Sequence, residues 1–152
     1  MNDSLVRGTL FAQLAATLYM VGVIWMVQLV HYPLYNRVGR QEFPDYETRH
    51  NDGMTLVVGP AMLLEAATVV LLVLLPSPRV PASSAWLGGA LLAVIWLSTV
   101  FLQVPCHNRL VSGFDQATYE RLVNSNWIRT IAWSLRGALA MWMVWRQPPA
   151  AG

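Results

Sequence analysis

The chain has 152 residues, 55% hydrophobic and 12% charged, with seven tryptophans and a mean hydropathy of +0.43. That is one domain's length, and too apolar for a soluble domain of its size. The net charge of +2 comes from ten arginines and no lysine. With no basic run, no G-x-x-x-x-G-K and no G-x-G-x-x-G, the sequence offers no site to nucleic acid or nucleotide.

Four stretches approach the roughly 20 mostly apolar residues that a bilayer span needs: 10–30, 54–75, 86–104 and 128–145. Backbone facing lipid must satisfy its own hydrogen bonds, so each span is expected to be a helix. The expected fold is all-α: residues 1–152 form a single integral membrane four-helix bundle of up-down topology, with both termini on one side. Call that side A and the opposite side B. Side A receives residues 1–9, the turn "PSPRVPASSA" and the tail "RQPPAAG".

The first stretch carries Trp25 and runs into "HYPLYNR" without a small-residue cleavage pattern, so it reads as a span and not a signal peptide. It ends with Gln28 and His31, spaced i, i+3, just before Pro33. The second helix is expected to start near Pro44, with Asp45 and Glu47 suited to its positive end. Phe43, Tyr46 and His50 then share a face. From Pro44 to Leu75 it would run about 48 Å, so it projects from side B or bends near Pro60.

The third span carries Thr99, Gln103 and His107 at i, i+4, i+8, provided that the helix survives Pro105. Cys106, the single cysteine, forms no internal disulfide and reads as a small apolar residue. "FDQATYERLVNSN" is expected to form a short interfacial helix capped by Asp115. The fourth span opens with "NWIRT", whose Asn126 and Arg129 share a face with Trp133. Trp25, Trp127 and Trp145 fit interfacial belts, while Trp96 and Trp133 lie deeper and either pack or line a pocket.

Two residues carry charge inside the membrane: Glu65 in the second span and Arg136 in the fourth. Such charges face a partner or a cavity. At similar depths on diagonal helices they are expected to pair, either as a packing device or as the floor of a substrate pocket.

Six of the eight acids and all three histidines fall on side B. Side B also holds more non-membrane sequence, which by itself collects polar residues. Antiparallel packing nevertheless implies a polar chamber there, lined by Gln28, His31, His50, Gln103, His107, Asn126 and Arg129. His31, His50 and His107 come from three helices and could ligate iron, copper or zinc, serve as acid and base, or simply hydrogen-bond. They lie too near the membrane edge to suit haem, which wants axial ligands in the bundle interior. The positive-inside rule leans towards a cytoplasmic side B, but arginines drawn to a site would distort that count, and the orientation stays open.

An apolar third span running into "VPCHNRL", then "GFD", then "NWIRT" with Trp and Arg one and two turns on, resembles the anthrone-oxygenase-like family of small four-helix membrane proteins. The likeness covers about residues 97–140, and the first two spans by layout. It implies a membrane oxidoreductase acting on a small apolar, aromatic substrate; a bacterial inner membrane is the expected location. Asn108, Asn126, Trp127 and Arg129 are the matching positions. "VHYPLY", Arg49–His50 and His107 depart from that pattern, which puts the substrate in doubt and turns attention to histidine chemistry.

Three classes stay open. In the first, an oxidoreductase or oxygenase, His31, His50 and His107 act as catalytic groups or metal ligands, and Arg129, Asn126, Trp127, Asn108, Gln103, Gln28, Glu65 and Arg136 hold substrate. The second is a non-enzymatic binder or transporter of a small lipophilic or anionic ligand, and the third a structural or assembly subunit. Membrane lipid is the expected surrounding partner, and association into oligomers is open.

Overall fold

A computed structural model describes residues 2–147, and these are helical apart from short connections. Four rods form the bundle: α1 (Asp3–Arg37), α2 (Phe43–Leu74), α3 (Ala82–Leu110) and α4 (Gln116–Trp145). α1 packs on α2 and α4, and α3 packs on the same two, so α1 and α3 are diagonal, as are α2 and α4. The two ends of the described chain lie on side A, where Arg79 of the α2–α3 turn pairs with Asp3 while its carbonyl accepts from Gln147 Nε2 at 3.3 Å.

Three of the rods, α1, α2 and α3, are long and apolar enough to cross a membrane. The outer surface agrees with this: Leu56, Leu63, Leu74, Trp86 and Phe101 are each 65% exposed or more. Polar groups are turned inward instead, among them Gln13, Thr17, Gln28, Glu47, Glu65, Gln103, Asn126, Thr130 and Arg136. An apolar exterior over a partly polar core is the pattern a lipid solvent selects.

Local sequence explains the ends. Asn2 caps α1 through the Leu5 N–H, Pro44 sits in the first turn of α2, and Asp115 caps α4 through the Thr118 N–H at 3.0 Å. Those contacts from the Thr118 hydroxyl and amide hold the Asp115 carboxyl below its ordinary value. Gly113, at φ 137°, makes the turn between α3 and α4 in a conformation that side chains disfavour.

The expected short interfacial helix at 114–126 is not separate. Asp115 is indeed a cap, but it opens a continuous 30-residue helix that runs to Trp145. α2 likewise passes Pro60 without interruption.

Prolines shape α1 and α3 in the same way. Residues Val27–His31 and Thr99–Gln103 form π-helical turns, in which the Tyr32 N–H reaches the Val27 carbonyl and the Val104 N–H the Thr99 carbonyl. Pro33 and Pro105 follow two residues after each turn. Each proline lacks an N–H and its ring would crowd the carbonyl four residues back; one extra residue in the turn relieves both. The helix therefore survives Pro105 instead of loosening, and the residues beyond it are rotated relative to an unbroken α-helix.

The core has three levels. Val6, Leu10, Leu72 and Met143 pack at side A, Met20, Ile24, Leu92, Ile95 and Trp133 in the middle, and Tyr32, Tyr35, Phe43, Leu110 and Leu122 at side B.

Candidate functional site

Between the middle level and side B lies a cavity of about 310 Å³. Its apolar wall comes from Met20, Val23, Ile24, Val27, Met54, Val58 and Val104. Its polar end is built by Tyr32 from α1, His50, Asn51 and Thr55 from α2, Thr99, Gln103, His107 and Asn108 from α3, and Arg129 from α4. Thr55, Val104 and Asn108 are exposed, so the cavity opens sideways between α2 and α3.

The three histidines meet at this end. His31 and His50 rings stack with centroids 4.7 Å apart, and His50 stacks on His107 at 5.2 Å. His31 Nε2 and His50 Nδ1 share a hydrogen bond of 2.8 Å. His107 is held at both nitrogens: Nδ1 lies 2.5 Å from Glu47 Oε1, and Nε2 lies 3.1 Å from the Tyr32 hydroxyl. A carboxylate only accepts, so Glu47 fixes the His107 proton on Nδ1 and leaves Nε2 to accept from Tyr32. Glu47 itself is fully buried. Tyr35, also fully buried, packs edge-on against His31 and His50, each at 5.4 Å, and keeps the stack in register.

His107, His50, Gln103, Asn108 and Arg129 line the cavity, and other residues expected there do not. His31 stands behind His50, away from the cavity. Gln28 and Asn126 form a buried bridge between α1 and α4, with Asn126 Nδ2 donating to Gln28 Oε1 at 2.8 Å, and Thr130 joins it at 3.4 Å. Trp127 faces outward, 39% exposed, edge-on to Trp25 at 5.8 Å. Trp96 and Trp133 do not reach the cavity either; Trp133 is fully buried in the middle level.

Glu65 and Arg136 do not line the cavity. They pair directly, both fully buried, and every helix contributes to the knot. Arg136 binds Glu65, its Nη1 donates to the Gly88 carbonyl of α3 at 2.6 Å, and Thr17 of α1 donates to Glu65. Gly88 permits this approach: a Cβ there would lie 3.2 Å from Arg136 Nη1. The packing alternative accounts for the pair.

Sequence reasoning missed Tyr32 and undervalued Glu47. Tyr32 sits four residues after Gln28, a same-face spacing that could have flagged it as inward. Glu47 looked like a helix-end acid in the first turns of α2.

Among the described residues, no group of three or more His, Cys, Asp or Glu side chains is arranged to hold a metal ion. Four of the six imidazole nitrogens are engaged with His31, His50, Tyr32 and Glu47. No family model, no curated protein and no solved structure matches this chain.

Proposed function

We propose that the chain is a membrane-embedded oxidoreductase that takes a proton from a small apolar substrate with an enolisable or phenolic group and commits the resulting anion to oxidation by dioxygen. The observation that carries this reading is the chain Glu47–His107–Tyr32 ending on an apolar cavity. Such a chain is the general form of an oriented base: the carboxylate sets the imidazole's tautomer, and the imidazole withdraws a proton from the group beyond it. The oxidative half comes from the resemblance of residues 97–140 to the anthrone-oxygenase-like family, and the proposed location is a bacterial inner membrane.

In this mechanism the substrate's proton passes to the Tyr32 oxygen while the Tyr32 proton passes to His107 Nε2. Tyr32 ends neutral, and the imidazolium is paired with Glu47 at 2.5 Å. The substrate anion is then electron-rich enough to reduce dioxygen. For a methylene substrate, one methylene group and one dioxygen molecule give one carbonyl group and one water. Both C–H bonds break, one oxygen atom stays on carbon, and the other leaves as water with the proton returned from His107. His107 carries the proton in this scheme, with His50 and His31 stacked behind it, and no step runs through a metal.

The test is dioxygen uptake by detergent-purified protein with anthrone as the probe, beside His107→Ala and Glu47→Gln. Expected is turnover above the uncatalysed oxidation, falling by about 10²-fold or more in His107→Ala, as loss of a general base does. Wild-type protein no faster than buffer sinks the proposal.

A further inference from the structure

Arg129 is 8% exposed, and its Nε has no hydrogen-bond partner among the described residues. Its neighbour is the Tyr32 hydroxyl, and no carboxylate pairs with it among the described residues. Seven residues further along the same face of α4, Arg136 is buried against the Glu65 carboxylate and the Gly88 carbonyl. One helix therefore carries two buried guanidiniums, one compensated and one not, and the uncompensated one lines the cavity. Burying a cation without a counter-charge is costly, so such residues mark places where a charge arrives from outside.

From this geometry we infer that the cavity takes a lipophilic anion: a compact apolar body bearing one phenolate, enolate or carboxylate oxygen, which rests on Arg129. About 310 Å³ is at the small end of ligand pockets, which limits the body to a few rings or a short chain. Planar guanidinium suits an oxyanion better than a point cation does. The entrance agrees with such a ligand. It lies between α2 and α3 at Thr55, Val104 and Asn108, near the side B end of the apolar spans, with Leu56 78% and Phe101 65% exposed beside it. Amphiphilic anions concentrate at that depth in a bilayer, with the charge near the headgroups and the body in hydrocarbon, so entry is sideways from the lipid. This inference shares with the proposed function the premise that the cavity is a ligand site, but it needs no turnover.

The experiment compares 2-naphthoate with its neutral isostere 2-naphthamide, measured as saturable binding to the full chain in lipid nanodiscs over empty nanodiscs. Wild type is expected to prefer naphthoate by at least tenfold, Arg129→Lys to keep much of that preference, and Arg129→Gln to lose it while retaining its helical circular dichroism. Equal affinity for both probes, no saturable binding of either, or a preference that survives in Arg129→Gln overturns the inference. An anion preference without anthrone turnover removes the oxidative function and leaves this site standing; turnover without the preference does the reverse.

Discussion

Arg136 and Glu65 meet at the centre of the bundle on diagonal helices, both fully buried, and their pair draws in Thr17 and Gly88 so that all four helices share one polar knot. Removing one partner strands the other charge. Glu65→Leu or Arg136→Leu is therefore expected to destabilise the fold by about 3–5 kcal/mol. The double variant Glu65→Leu/Arg136→Met should recover most of that loss, since an apolar pair of similar volume often replaces a buried ion pair without penalty. Reversible unfolding in mixed detergent micelles measures all three. A double variant as unstable as the singles would show that the knot does more than balance charge.

Glu47→Gln tests orientation of the base. A glutamine amide can offer an N–H where the carboxylate offers only acceptors, so the proton on His107 is no longer held on Nδ1. Expected is a change in the His107 tautomer populations, read from nitrogen-15 shifts of the imidazole, together with a loss of turnover of about 10²-fold. Unchanged tautomers with unchanged turnover would remove Glu47 from the mechanism.

The π-turns make a prediction about Pro105. With alanine there, α3 regains an N–H and loses the ring clash, and the extra residue in Thr99–Gln103 is no longer required. Loss of the extra residue would rotate His107 by about 100° relative to the part of α3 that precedes Thr99. Pro105→Ala is expected to be at least as stable as wild type, yet to lose turnover about tenfold or more, because catalytic geometry tolerates little displacement. Stability and turnover falling together would point to simple unfolding of the helix end.

These cases also show what the sequence could and could not reveal. Apolar runs of span length made three of the helices and their up-down order legible, and depth alone was enough to match Glu65 with Arg136. α4's first turns were misread because Asp115, Glu120 and Arg121 interrupt hydropathy there, although the helix is continuous. The wall residues proved hardest. Periodicity of 3.6 puts both His31 and Tyr32, at i+3 and i+4, near the face of Gln28 and does not choose between them. The extra residue in Val27–His31 brings Tyr32 to the cavity and leaves His31 behind His50.

Asp115 gives a pH dependence outside the membrane segments. The Thr118 hydroxyl and N–H stabilise its ionised form, so its pKa lies below the ordinary 3.8. A group depressed on folding stabilises the fold above its unfolded pKa, and that contribution is lost as pH falls through the lower, folded value. The first turn of α4 is expected to stay protected from hydrogen exchange down to about pH 4 and to fray below it. Asp115→Ala should fray at every pH, with little further change on acidification. Acid fraying of equal size in Asp115→Ala would assign the effect to another group.

The histidine stack separates the proton-handling and metal mechanisms. His31, His50 and His107 come together from α1, α2 and α3, as a metal site would require, but His107 has neither nitrogen free and His31 and His50 bond to one another. Ligating one metal through all three imidazoles would require breaking the Glu47 or Tyr32 contact of His107. Dialysis against a strong chelator is therefore expected to leave anthrone turnover unchanged, with iron, copper and zinc far below one per chain in freshly purified protein. Near-stoichiometric metal in wild type that is lost in both His31→Ala and His107→Ala would reverse this. The hydrogen-bonded stack would then be the metal-free form of a histidine site in which His31, His50 and His107 hold the metal.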